Sequence, residues 1–421
     1  MKCILLAGIA GLSLIGAVHA EGLYYAGAES KESIPLKWSV GANLIYDDNV
    51  NPTATALTGS GSGTSVNPYV GVSFLSTAPQ TTCEVFARLG IIYYLDKPSA
   101  GGTDDLYGQA RVEASITHRF NERLRLVSRN FLSYELEPDY AYGYASGRQA
   151  SAPFYWQTDN ALGYRWTERL ATYTGITLSS INYDKAVQNA DRFTATVYHQ
   201  FRYQLSPQTV LTADYRYSKT TGDALASDAT DHYLLAGIEH RFSPTTILIA
   251  RAGSQFHQVD AVGSSDTTSP FFELNLSSQI NSEFKVTAFL RYGLENNDTV
   301  RAVGFPGQLY EFSSRGTLRV GVKADYAISQ KLSILAGVDY IPASFKDGRK
   351  VADDGDPLTP VAPATASGLS EDVINAYIGL SLKFTDIISG NLTYDYTRSN
   401  SDLLDNTYNR NRVSVGIRAE F

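Results

Sequence analysis

The sequence predicts an all-β chain, a transmembrane antiparallel up-and-down β-barrel of 18 strands. Three observations predict it. Apolar and polar residues alternate in 18 segments spread along 421 residues, the connections between those segments are alternately short and long, and the N-terminus has the make-up of a secretory signal.

The N-terminal element comes first. Lys2, an apolar run from Ile4 to Val18 and the small residues Val18 and Ala20 read as a signal cut after Ala20, so that residues 1–20 are signal, 21–35 a short periplasmic segment and 36–421 the barrel. Cys3 precedes the apolar run instead of standing at the cleavage point, which argues against a lipoprotein, and its removal leaves Cys83 without a partner for an intrachain disulfide. Beyond the signal no apolar stretch approaches the roughly 18 residues a spanning helix needs. A barrel strand crosses a bilayer in about 9–11 residues and is apolar on one face only, so its hydropathy stays weak. With 28 Tyr, 18 Phe and 34 Gly against a single Met, the composition suits such a wall. A net charge of −8 argues against nucleic acid as a partner.

The strands come next. From Leu106 to Phe120 the residues Leu106, Ala110, Val112, Ala114 and Ile116 alternate with Tyr107, Gln109, Arg111, Glu113, Ser115, Thr117 and Arg119. The same dyad recurs at Leu318, Val320 and Val322 against Arg319, Gly321 and Lys323, and again at Val413, Val415, Ile417 and Phe421. Marking every such segment gives strands starting near residues 36, 66, 82, 106, 123, 153, 169, 192, 209, 231, 246, 270, 284, 316, 331, 373, 387 and 410, an even number as single-chain bacterial barrels require.

The connections complete the pattern. Asn121-Glu122-Arg123, Thr167-Glu168-Arg169, Ser206-Pro207-Gln208, Ser243-Pro244-Thr245 and Ser329-Gln330-Lys331 are tight-turn chemistry and read as periplasmic. Asp48 to Ser65, Glu137 to Ala152, Asn296 to Arg315 and Pro342 to Asp372 are rich in Gly, Pro, Ser, Asp and Asn and read as extracellular loops. Just before the short turns the outward positions carry Phe120, Trp166, Tyr203, Phe242, Phe384 and Phe421, an aromatic girdle at the periplasmic interface. His118, His199 and His240 share that face and read as interfacial, since no metal-ligand spacing joins them. A β-propeller also repeats every 40 residues or so, but its blades need four short strands per period where this chain has two long ones.

Through Leu44, Ile45, Tyr46, Asp47, Asp48, Asn49 and Val50, the hairpin from Ala236 to Thr246 and the terminal aromatic, the chain resembles the second β-barrel porin family of Gram-negative outer membranes. The resemblance implies an outer-membrane barrel, in some members associated with exopolysaccharide, and brings no catalytic residues. A terminal strand ending in Phe421 resembles the signature read by the outer-membrane assembly machinery; lipid and lipopolysaccharide are the other expected partners.

For function, a barrel of this size leaves an aqueous channel whose inward residues set selectivity. Alternation turns Arg111, Arg119, Arg165, Arg202, Arg216, Arg241, Arg251, Arg291, Arg319 and Lys323 inward. Two readings compete: the charges brace the wall by pairing with nearby acids, or basic residues such as Arg111, Arg251, Arg291 and Arg319 form an eyelet that attracts anions. Tyr140, Tyr142, Tyr144 and Arg148 in the loop after residue 137 are candidates for a constriction able to stack on sugar rings, as are the inward Tyr107, Tyr198, Tyr233 and Tyr377. Asp353, Asp354 and Asp356 offer a weak divalent-cation site on one reading and are simply solvated on the other, which the lack of a formed Ca-loop pattern favours. No Ser, His and acid converge, so no enzyme, cofactor or metal site is expected, and the stretch before the first strand is too short for the plug of an energised transporter. The expected function is a passive pore for small solutes or glycans, with a structural or adhesive barrel as the alternative.

Overall fold

A computed structural model describes residues 33–52, 61–96, 104–137, 152–183, 191–223, 226–260, 266–296, 299–303, 308–350, 365–403 and 406–421. The strands are β1 (Ile34–Asp47), β2 (Gly63–Thr77), β3 (Thr81–Tyr94), β4 (Leu106–Arg119), β5 (Leu124–Tyr134), β6 (Pro153–Arg165), β7 (Leu170–Tyr183), β8 (Arg192–Ser206), β9 (Thr209–Gly222), β10 (Ala229–Ser243), β11 (Thr246–Val259), β12 (Thr267–Gln279), β13 (Phe284–Glu295), β14 (Val300–Val303), β15 (Gln308–Ala327), β16 (Leu332–Lys350), β17 (Thr365–Ala366), β18 (Leu369–Lys383), β19 (Ile388–Ser401) and β20 (Tyr408–Glu420). Each wall strand pairs antiparallel with the next, β13 with β15 and β16 with β18, while the short β14 and β17 only extend β15 and β16. β20 then pairs with β1 from Ser39↔Glu420 to Asp47↔Arg412, which closes an 18-strand barrel and leaves no open edge around the ring. Backbone bonds between Trp38 and Phe421 in both directions finish the seam.

The two faces divide as the alternation requires. Val40, Leu44, Val70, Leu89, Val197, Val322, Val338, Ile378, Val415 and Ile417 stand exposed on the outside, while Asn67, Glu113, Arg202, Asp214, Glu239 and Arg319 are buried on the inside. A soluble protein would pay heavily for so much apolar surface in water, whereas a bilayer accepts it. The chain is an outer-membrane β-barrel.

All predicted strand starts but two fall within three residues of the observed ones. The exceptions correct two loop assignments. The stretch from Asn296 to Arg315 contains β14 and the start of β15, and that from Pro342 to Asp372 contains the end of β16, β17 and the start of β18. Pairing with partners, not local composition, keeps these Gly- and Pro-bearing segments extended. Residues 1–32, and with them the proposed signal, lie outside the described residues, as do Tyr140, Tyr142, Tyr144, Arg148, Asp353, Asp354 and Asp356.

At one end of the barrel the connections are tight. Asn121, Thr167, Asn281, Ser329 and Thr385 each follow an outward Phe, Trp or Ile and accept bonds from the N–H groups two and three residues on, the Asx and Ser/Thr turns that let a strand reverse without orphaned donors. Phe120, Trp166, Tyr203, Phe242, Phe384 and Phe421 are exposed on the outside at this end. His118, His199 and His240 repeat one arrangement there: Nδ1 meets a Thr hydroxyl of the neighbouring strand at 2.8–2.9 Å, and the ring packs edge-on against the aromatic two residues later.

At the other end the wall opens twice. The β4–β5 ladder stops at Ala110↔Tyr134, although β4 stays paired with β3 up to Leu106, and Glu135 to Glu137 turn into the lumen. The β12–β13 ladder stops at Phe272↔Tyr292, although β12 stays paired with β11 as far as Thr267. Pro270, with no N–H to offer another strand, lies on that free edge of β12.

Candidate functional site

The lumen is built on a recurring pair of a glycine and an aromatic. Tyr69, Tyr173, Tyr198, Tyr377 and Phe289 sit directly across the ladder from Gly41, Gly163, Gly175, Gly337 and Gly321. A Cβ at any of these glycines would collide with the opposing ring. The rings therefore lie flat on the wall instead of projecting, and glycine is needed for the close approach. Tyr198 is further tied by its hydroxyl to Asp159 Oδ1 at 2.8 Å, and the Tyr233 hydroxyl accepts from Gln255 at 3.0 Å. Tyr107 packs on Tyr94 and accepts from the backbone N–H of Asp104.

Charges are gathered into clusters. In the first, Arg202 grips Glu239 with two bonds of 2.7 and 2.6 Å, Arg251 lies between Asp214, Glu239 and Glu273, and Arg216 adds a bond to Glu273 at 3.1 Å. In the second, Glu295 binds both Arg319 and Arg315, with Glu371 on the far side of Arg315 at 3.8 Å. In the third, Arg410 is held by Asp47 and Glu137, and Arg412 by Glu137 and Asp395. Arg111 completes a smaller group with Glu113 and Glu135. Each charge is desolvated and then compensated, the condition under which buried ions are tolerated.

The ladder register brings part of the predicted basic set together. Arg251 faces Glu273, Glu273 faces Arg291, and Arg291 faces Arg319, so these residues form one row across β11, β12, β13 and β15. Arg111, on β4, lies elsewhere on the wall. Within the row Arg251 and Arg319 are buried against carboxylates, while Arg291 is exposed and makes no hydrogen bond or ion pair among the described residues. Arg119, Arg165 and Arg241 lie in the last residues of their strands at the tight-turn end, Arg165 reaching Glu122 at 3.7 Å, and Lys323 stands opposite Thr287.

Two cavities occupy the interior. One of about 350 Å³ is bounded by β1–β4, β16 and β18–β20 and includes Asn67, Arg88, Asp395 and Arg412. The other, of about 460 Å³, is bounded by β5–β13 and includes Arg129, Asp159, Tyr198, Arg216, Tyr233 and Arg291. Both are lined by polar and charged groups, as a water-filled passage requires.

No family model matches the chain, and no curated protein matches it. Among solved structures it is similar to Acinetobacter baumannii OccAB4, at 12% identity over 93% of this chain and 99% of that one with a TM-score of 0.43. It is likewise similar to Pseudomonas aeruginosa OpdK with vanillate, at 14% identity over 92% and 99% of the chains and a TM-score of 0.43. Pseudomonas aeruginosa OprD gives 10% identity over 94% and 97% with a TM-score of 0.39. The strand pairing described above, not these likenesses, establishes the barrel.

Three site features escaped the sequence reading. Asp47, Asp48 and Asn49 lie in the segment that carries the family resemblance, yet their task is structural: Asp47 binds Arg410, Asp48 binds the backbone N–H and side chain of Asn411, and Asn49 donates to the carbonyl of Asn409. Together they lock the top of β1 to β20 and place Val50, fully buried, among Ile92, Tyr94, Leu136 and Ala152. Glu137 opens the stretch that reads as a loop and Glu135 stands just before it, yet they cross to β20 and β4 inside the lumen. Glu295, the anchor of the second cluster, ends β13. None carries a local signal, because the partners that give them these roles lie 20 to 363 residues away in sequence.

Proposed function

We propose that this barrel is a passive diffusion pore for small polar solutes, with carbohydrate or anionic oligosaccharide as the favoured class. The observation that carries the reading is the polar cavity between β5 and β13, into which Arg291 projects exposed and without a hydrogen bond or ion pair among the described residues, while Arg251 and Arg319 in the same row are held in contact by carboxylates. An exposed guanidinium beside the passage draws anions and repels cations. The clustered charges elsewhere brace the wall, which favours one selectivity residue over the four-residue eyelet. Flat tyrosines offer ring faces to a passing sugar without narrowing the passage. A link to exopolysaccharide rests on the resemblance through Tyr46 to Val50.

Purified protein in a planar bilayer should pass ions with a reversal potential displaced toward anion preference, and Arg291→Gln should move it toward zero while leaving folding intact. Unchanged selectivity in that variant rejects Arg291 as the determinant. The structural-barrel alternative is favoured by the strands that lie across one end of the lumen, and absence of conductance under every condition would decide for it.

A further inference from the structure

The upper part of β13, β14 and β15 leaves the wall and lies across the extracellular mouth. On one side it contacts groups two or more wall strands away. Leu294 exchanges backbone bonds of 2.8 and 3.0 Å with the side chain of Gln255 on β11. Asn296 donates to Thr220 on β9 and Asp231 on β10, and Arg192 on β8 donates to Thr299 at 2.6 Å. Val300 is buried against Ala226, and Ser227 donates to Glu311. On the other side Tyr310 and Phe312 pack with Phe345 and with Leu403, beyond β19. The hairpin thus spans from β8 to the end of β19.

One further contact of the hairpin is made by a histidine. His257 on β11 is nearly fully buried and has an acceptor at each ring nitrogen: Nδ1 meets Asp231 Oδ1 at 2.8 Å and Nε2 meets the carbonyl oxygen of Ser313 at 3.0 Å. A carboxylate and a carbonyl can only accept, so both bonds exist together only when both nitrogens carry hydrogen, in the imidazolium. The charged groups around it are Asp231 on β10, which faces the ring; Asp347 on β16, which accepts from Ser313 Oγ; and the neighbouring cluster of Glu295, Arg315, Arg319 and Glu371, whose members pair with one another.

We propose that the β13–β15 hairpin is a lid over the mouth and that protonated His257 latches it. On deprotonation the ring keeps one N–H. That hydrogen stays on Nδ1, because a bare lone pair there would face the charged Asp231 carboxylate; the proton is lost from Nε2, whose lone pair then faces the neutral Ser313 carbonyl and repels it, so β15 loses its hold on β11. The lid is closed at low pH and released as pH rises through the titration of His257.

This inference rests on the pore reading, and the test separates the two. In a Cys83→Ser background, Val300→Cys reports the lid directly, since Val300 is buried only while the lid is docked. Its labelling by an impermeant maleimide, relative to an exposed Ser62→Cys control, should rise roughly tenfold between acid and mildly alkaline pH, the scale of one linked proton per pH unit. His257→Gln should remove that dependence and label fast throughout. An Ala226→Cys and Val300→Cys pair, oxidised, should hold conductance low until reduced. Labelling that ignores pH, or that still follows it in His257→Gln, overturns the latch; conductance indifferent to the oxidised pair overturns the lid. Labelling that follows pH in a barrel passing no current leaves the lid standing and rejects the pore.

Discussion

The side chains that face the lumen are held by pairs whose partners differ in what they tolerate. Gly337 and Gly175 exist to receive Tyr377 and Tyr198, so Gly337→Val or Gly175→Val should lift the ring off the wall at a cost of about 1–3 kcal/mol. Single-channel conductance should fall in proportion to the narrowing; a variant that folds with conductance unchanged would show that the ring does not border the passage. The Arg202–Glu239 pair behaves differently, because both groups are buried. Glu239→Leu leaves Arg202 without its two-bonded partner and weakens the compensation of Arg251, so it should cost about 3–5 kcal/mol, read as a lower midpoint in urea unfolding from lipid or detergent. An exposed pair such as Arg165–Glu122 should show a change within about 1 kcal/mol in the same assay.

The wall strands carry the sharper prediction about faces. Val322 is exposed on the outer side of β15 while Gly321 beside it points at Phe289 and Asp339 inside the lumen. Val322→Arg therefore places a charge in lipid at about 2–4 kcal/mol and should reduce the folded, heat-modifiable fraction. Lys323→Gln, one residue on and facing the lumen, should leave that fraction nearer wild type and alter conductance instead. Equal loss of folded protein in both would contradict the assigned faces. Such faces were legible in the sequence because an alternating strand records its surroundings every second residue, and this is why β4, β11 and β13 begin at the residues expected. The long connections were not legible. Asn296 to Arg315 and Pro342 to Asp372 read as loops from their Gly, Pro and Asp content, and a strand that pairs only with a neighbouring hairpin beyond the bilayer shows no lipid-facing stripe to count.

The whole barrel has a direction. The start of β1, the end of β20 and the tight turns share one end, and the lid and inward Glu135–Glu137 share the other, so Ser62→Cys should react with an impermeant reagent on intact cells and Gln330→Cys should not. The opposite pattern would invert the orientation. The sequence by itself determined the class of the molecule, the strand number, the two faces, the turn chemistry and the aromatic end, all of which follow from periods of two residues and from turns of a few residues. Only the tertiary structure decided the interior. That Arg251, Glu273, Arg291 and Arg319 form one row depends on the stagger of four strands. That Arg291, alone among the arginines of the row, makes no ion pair among the described residues depends on where Glu295 and Glu273 direct their oxygens. That a hairpin bends from the wall onto His257 depends on a ladder ending five residues early at Phe272. A lumen is assembled from residues far apart in the chain, and local periodicity fixes which face a side chain points to but not which partner it meets there.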